Sequence, residues 1–236
     1  MNRFANTLRW DIVRQFREGF YTVSAVVAVI MIVLLRQIDG VDWALWWPAI
    51  LLENLIINAF YFMAGMVLLE KGEGTLEAQI VSPLRTWEYM AAKVASLLIL
   101  SILESLLIIG LVSGLGFNWF WLLLGIALVV ALYVLYGFFV VARYDSISDF
   151  ILPSALWTMG FSLPLLWYFD LWKHWIMFLH PLQAPLLLMR AAYHPAEPWQ
   201  LLYGVGYAGL WVAVGYFVSK RTFHRFIVAK EGSRKP

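Results

Sequence analysis

Six apolar runs punctuate the chain, at residues 20–35, 47–69, 90–115, 119–142, 150–169 and 201–218. Crossing a hydrocarbon core of about 30 Å takes about twenty apolar residues at about 1.5 Å each, so each run is read as a membrane-spanning helix. The first is short unless Tyr21, Arg36 and their neighbours snorkel or the helix tilts. The fifth contains Pro153 and Pro164, which should kink it. A seventh apolar piece, 175–188, is interrupted by His180, Pro181 and Pro185 and cannot span alone. With residues 171–178 and 182–191 as two short helices, it predicts a broken, re-entrant hairpin between the fifth and sixth spans. Such backbone is permitted at membrane depth only where protein or water satisfies it.

Ahead of the first span, Phe4, Leu8, Ile12 and Phe16 recur every fourth residue, with Ala5 and Val13 beside them and Arg3, Arg14 and Arg17 away from them. Residues 2–18 therefore read as a basic amphipathic helix lying in the leaflet surface. The pattern as a whole predicts an all-α membrane protein, a single transmembrane domain over 1–236 with a basic tail at 219–236. Composition agrees: 62% of the residues are hydrophobic and only 14% charged, far from a soluble domain. The net charge of +2 is spread over the ends of apolar runs, which argues against a nucleic-acid partner. With no cysteine, disulfides and thiolate chemistry are excluded. The arginine-rich start lacks a small-residue cleavage site and is not read as a removable signal.

With six spans both termini share a side. Of the 17 Lys and Arg residues, 14 fall on that side, and only Arg36, Lys173 and Arg190 fall on the other. The positive-inside rule then places both termini in the cytoplasm of a multi-pass plasma-membrane protein. Nine tryptophans (Trp43, Trp46, Trp47, Trp119, Trp121, Trp167, Trp172, Trp175 and Trp199) cluster at the opposite ends of the spans, as an interfacial belt does.

Between the second and third spans lies a polar island, 70–89, with six charged residues. Each charge at mid-membrane costs about 2.5 to 3.5 kcal/mol on insertion scales, so the island stays outside the hydrocarbon. Gly72 and Gly74 relax the backbone, after which Leu76, Ile80 and Val81 recur at helical spacing beside Glu77 and Gln79. A short amphipathic helix ending near Pro83 follows, and Thr86 is the expected cap of the third span, with Glu88 favourable in its first turn. Such a helix, held rigidly between two spans, can pass force from a soluble partner into the bundle.

The run Glu70-Lys71-x-x-Gly74-Thr75-Leu76-Glu77, then Val81-Ser82-Pro83-Leu84, Glu88-Tyr89 and Lys93, resembles the cytoplasmic loop of the second export class of ATP-binding-cassette (ABC) permeases. His180-Pro181-Leu182 and Leu188-Met189-Arg190 resemble that family's segment before the last span, and the chain looks most like the small multidrug and fluoroquinolone-export permeases. The resemblance implies that the loop helix is a coupling helix seated on a separate ABC ATPase subunit. Gly74, Thr75, Leu76, Glu77, Ile80 and Pro83 would contact that ATPase, with Arg85 and Glu88 at the rim. It further implies a second permease copy or a sister permease, an ATP-driven export path for a small amphipathic or lipid-like cargo such as a drug or antibiotic, and the broken hairpin capping its exit.

The chain lacks the G-x-x-x-x-G-K-[ST] phosphate cradle, so it is not expected to be an enzyme or to bind a cofactor; ATP and Mg belong to the partner. Polar residues inside the spans are the remaining candidates. Glu53 stands beside Asn54, Asn58 and Tyr61, the last three at one-face helical spacing, and Glu104 lies near Ser101 and Ser105. They either line the translocation path or permease interface, where a cationic amphiphile would bind, or serve as interhelical hydrogen-bond glue. An intramembrane enzyme or an ion-coupled carrier using Glu53 and Glu104 is the competing reading. No histidine within a span, no visible nucleophile and base pair, and no internal repeat support it. His174, His180 and His194 with Asp170 and Glu197 lack metal-ligand spacing, so no metal is expected; interfacial packing accounts for them.

Overall fold

The computed structural model describes residues 3–76, 84–223 and 225, and among these there is no strand. The N-terminal helix α1 (Arg3–Arg17) turns at Gly19 into α2 (Phe20–Leu35). Next come α3 (Trp43–Leu55), a π-helical stretch (Ile56–Tyr61) and α4 (Phe62–Gly72), together one long rod, and then α5 (Thr86–Val112) and α6 (Trp119–Val141). The chain continues through α7 (Ile147–Phe161), α8 (Pro164–Tyr168), a 3-10 turn (Trp175–Leu179), α9 (Gln183–Ala191) and α10 (Pro198–Phe223).

Five of the spans are long and apolar enough to cross a membrane unaided: Trp43–Gly72, Thr86–Val112, Trp119–Val141, Ile147–Tyr168 and Pro198–Phe223. The expected first span is α2, whose 16 residues reach only about 24 Å. It makes a sixth crossing only when counted with α1, to which it is bent by 62°. Side-chain caps set several boundaries, with Asp42 accepting from Ala44 N, Asn118 from Phe120 N and Ser146 from Asp149 N. Thr86, expected as a cap, is instead the first residue of α5. The Glu88 carboxylate reaches back 2.8 Å to the Arg85 backbone N–H and does the capping.

Contacts between connections show that the helices alternate in direction. At one end, Arg36 donates to Leu111 O (2.8 Å), Trp47 Nε1 to Ser113 Oγ (2.8 Å), Asn118 N to Ala192 O (2.8 Å) and Tyr168 OH to Leu45 O (2.7 Å). This is the tryptophan-rich end. At the other, basic end, Lys71 meets the residues after α6, and Tyr89 packs on Phe223.

The hairpin differs from expectation. Its first arm, 171–178, is not an α-helix: Asp170 adopts a left-handed backbone (φ 62°) that stops α8, and only a 3-10 turn at Trp175–Leu179 follows. Its second arm forms α9, whose residues Gln183 to Met189 are all buried. Packed by protein, α9 wedges between α6 and α10 under α3. Two glycines admit it: a Cβ on Gly125 would sit 3.1 Å from Met189 N, and one on Gly204 3.3 Å from Ala184 O. Trp47, assigned to the belt, is likewise in the core, fully buried.

The N-terminal helix packs a polar face, not its apolar stripe, against the bundle. Its buried residues are Asp11 and Gln15, packed on α5, whereas Phe16, Val13 and Trp10 are exposed. The reason is chemical: α5 presents a lysine and a serine that an apolar stripe could not satisfy.

Candidate functional site

Glu70 and Lys71, neighbours in the last turn of α4, point to opposite sides of the loop base. Lys71 Nζ donates to Ala142 O (3.1 Å) and Tyr144 O (2.6 Å) and lies 3.8 Å from Asp145 Oδ1. Its charge thus meets the unpaired carbonyls at the C-terminus of α6, where the helix dipole favours a cation. Glu70 turns inward and is fully buried. Lys93, also fully buried, places Nζ 2.5 Å from Glu70 Oε1 and 2.6 Å from Asp11 Oδ1. The Tyr89 hydroxyl donates to Glu70 Oε2, and Arg14 Nη1 lies 3.2 Å from Glu70 Oε1. Arg14 also pairs with Glu73 and reaches Thr75 Oγ1 at 3.4 Å, so the network ends on the loop itself. One turn along, Gln15 Nε2 donates to Ser96 Oγ at 2.8 Å.

These contacts join α1, α4 and α5 at the basic end. Burial pushes the Asp11 carboxyl up from its ordinary value, and Lys93 opposes that rise. A lone buried ion costs several kcal/mol, so the cluster persists only because each charge has its opposite. Of these residues, Glu70, Tyr89 and Lys93 belong to the motif that carries the family resemblance. Asp11, Arg14, Gln15 and Ser96 were not singled out. A lysine inside an apolar run and the one acid in an otherwise basic helix were the signals.

Of the coupling residues expected from the sequence, Gly74 takes a left-handed backbone (φ 69°) just past α4, where only glycine is unstrained. Thr75 is half-buried against Arg14. Leu76 is 3% exposed and packs in the core, Arg85 is exposed, and Glu88 is buried as the α5 cap. Glu77, Ile80 and Pro83, with the short loop helix itself, lie outside the described residues.

Partway along the spans lies a second polar group. Glu104 on α5 accepts from Ser24 Oγ on α2 (2.7 Å) and from Asn58 Nδ2 in the π-helical stretch. Asn54 lies beside the same carboxylate. Ser101 and Ser105 are fully buried, and neither hydroxyl has a hydrogen-bond partner; Glu104 Oε1 and Asn58 Oδ1 also lack one. The structure therefore brings Asn54, Asn58 and Glu104 together and adds Ser24, the one serine in an apolar run. It does not bring Tyr61 there. The wider turn of Ile56–Tyr61 shifts the face by about one residue, and the Tyr61 hydroxyl meets Ser154 Oγ on α7 at 3.3 Å instead. Glu53 faces away from Glu104, into a recess of about 470 Å³ between α2, α3 and α8.

A larger cavity, about 750 Å³, opens between α6, α7 and α10 with Tyr136, Trp157, Phe161, His180 and Trp211 in its wall. His180 Nδ1 accepts from Leu182 N (3.2 Å), and burial pushes the imidazole down to about 4, with a hydrogen bond to the Gly160 backbone acting against it.

Comparison with known proteins matches residues 2–231 to the model of the fluoroquinolones export permease protein family. Two relatives in Mycobacterium tuberculosis, of strains CDC 1551 / Oshkosh and ATCC 25618 / H37Rv, are both named fluoroquinolones export permease protein. Each is 31% identical over 235 residues, covering 98% of this chain and 99% of the relative. A bundle of apolar helices, polar groups buried midway along it and a full-length family match agree: the chain belongs to the fluoroquinolones export permease family.

Proposed function

We propose that this chain is the membrane-spanning subunit of an ATP-driven exporter of the ATP-binding-cassette type. A separate ATPase docks on the loop between α4 and α5 at a cytoplasmic basic end and carries the ATP and Mg, and a second copy or sister permease completes the path. The observation that supports this best is the anchoring of the loop base. Glu70 is tied to α1 and α5 and Lys71 to the end of α6, so a push on the loop reaches four helices without slack. Among the loop residues, Gly74 and Thr75 are placed to hand the load from a docked partner to Arg14, with Glu77, Ile80 and Pro83 as the contact surface and Arg85 at its rim. Leu76 and Glu88 serve from within, one packing and the other capping.

The cargo is a small amphipathic molecule, and the names of the two relatives favour a fluoroquinolone. Glu53, Asn54, Asn58, Ser101 and Glu104 then line the path or the permease interface, and Tyr61 supports α7 beside it. Co-expression with the ATPase of the same transport system tests the reading. The ATPase should co-purify with the wild-type chain and be lost with Glu77→Arg, and inverted membrane vesicles should accumulate a fluoroquinolone only with ATP. Full transport by the purified chain with no ATPase contradicts it.

A further inference from the structure

Glu53, half-buried, differs from the buried carboxylates of this chain. Asp11 and Glu70 face cations, Glu88 caps α5 and Glu104 accepts two hydrogen bonds, whereas Glu53 has no ion pair among the described residues: Ser162 stands beside its carboxylate, and its Oε1 has no hydrogen bond. It opens on the recess between α2, α3 and α8, whose walls, Asn54 apart, are apolar and aromatic and include Trp46, Ile50, Leu165 and Phe169. A second polar side chain enters the same space: Asn54 is 5% exposed, lines the recess with its amide beside Glu104, and its Oδ1 has no hydrogen bond among the described residues. Unpartnered groups so placed are costly, and a ligand that supplies the missing partner recovers that cost.

We infer that the recess is a binding site for a small amphipathic organic amine, its ammonium held by Glu53 and Asn54 and its apolar body lying against the wall that Trp46 and Phe169 form. Charge and shape both favour this class. An ammonium donates to the free carboxylate oxygen and to Asn54 Oδ1 and also neutralises the carboxylate's charge, which a neutral donor does not do. Trp46 and Phe169, with ring centroids 4.8 Å apart, form an aromatic wall on which an apolar body packs and a cation is attracted to the ring faces. The volume of about 470 Å³ lies within the usual range for small-molecule sites and is too small for a folded partner. The larger cavity by contrast has no carboxylate among its described lining residues, so no charge there pairs with an ammonium.

The site deepens the permease reading and rests on it for its role in transport, but binding itself needs no ATPase. The test uses the purified chain in phosphatidylcholine nanodiscs with tritiated 2-(1-naphthyl)ethylamine as the probe and its N-acetyl derivative, which has lost the charge, as competitor. Saturable binding is expected, displaced by unlabelled amine and not by the acetamide. A charge-assisted hydrogen bond contributes about 1.5 to 3 kcal/mol, so Glu53→Gln should weaken binding at least about tenfold, and Trp46→Ala should weaken it less. Glu53→Asp keeps the charge and should retain part of the affinity in a chain of unchanged melting temperature, which separates lost charge from lost folding. Equal binding by Glu53→Gln, or equal competition by the acetamide, overturns the inference. Displacement by added phosphatidylethanolamine overturns it in favour of a lipid amine. Failure here leaves ATPase co-purification untouched, and failure of co-purification leaves the binding result standing.

Discussion

At the basic end of the bundle, Asp11, Arg14, Glu70 and Lys93 meet inside the protein, and each lies within ion-pair distance of an opposite charge. Midway along the same helices, Glu104 and Glu53 sit among apolar walls with no cation near them among the described residues, amid amides and hydroxyls of which several have no partner. Both regions bury polar groups at a cost, yet they spend it differently. A closed network fixes geometry, because moving any member strands another. An open one leaves hydrogen-bonding capacity for something not built into the chain. A transporter needs both: a stiff joint where force enters and an under-satisfied surface where cargo or water can be exchanged.

The contrast predicts unequal responses to substitution. The largest is at Lys93: Lys93→Met strands Glu70 and Asp11 and should cost about 3 to 5 kcal/mol, seen as a large drop in melting temperature. The triple variant with Glu70→Leu and Asp11→Leu should recover part of that loss, since no buried charge is then stranded: Arg14 keeps Glu73, and only the Tyr89 hydroxyl loses its acceptor. If Lys93→Met alone melts like the wild type, the network is not the joint described. At Glu104 the effect should be smaller. Glu104→Leu leaves Ser24 and Asn58 without an acceptor and should cost about 1 to 3 kcal/mol, whereas Glu104→Gln preserves an acceptor and should stay within about 1 kcal/mol.

How far the sequence foresaw this division depends on range. Spans, their alternation and the polar loop followed from hydropathy and charge, which are properties of the residues in place. The basic joint was half legible: Glu70, Tyr89 and Lys93 stood out as a motif, but their partner Asp11 lies more than eighty residues from Lys93, and no local pattern links them. The apolar stripe of α1 pointed to lipid, but a helical wheel gave no sign that the opposite face carries Asp11 onto the buried lysine of α5. Tyr61 was placed on the face of Asn54 and Asn58 by an ideal period of 3.6, which the π-helical stretch breaks. The arm at 182–191 was recognised as a helix but not as core, because the notches at Gly125 and Gly204 that admit it are made by other helices.

Two smaller effects sharpen the comparison. His180 accepts a backbone hydrogen bond as a neutral ring, and its folded pKa, about 4, lies below its ordinary value near 6.5. Its contribution to stability is therefore full above the ordinary value and is lost as pH falls toward 4, because the unfolded chain takes up the proton first. Melting curves should drop across that window, and His180→Gln should flatten the drop. A slope unaltered by that substitution would assign the pH dependence to other groups. The smallest expected change is at Gly74, where Ala must enter a left-handed conformation at a cost of about 1 kcal/mol; impaired coupling with little loss of stability is the outcome expected at a loop base.

The central claim is that α1, the end of α4 and the start of α5 move as one body through the nucleotide cycle. Because the chain has no cysteine, spin labels can be placed at Arg9→Cys and Trp87→Cys, both exposed, and their separation measured by double electron–electron resonance in the proposed complex with a separate ATPase. A narrow distribution that stays put between the ATP-bound and ADP-bound states, and broadens with Lys93→Met, is the predicted result; a wild-type distance that shifts or is already broad contradicts the account.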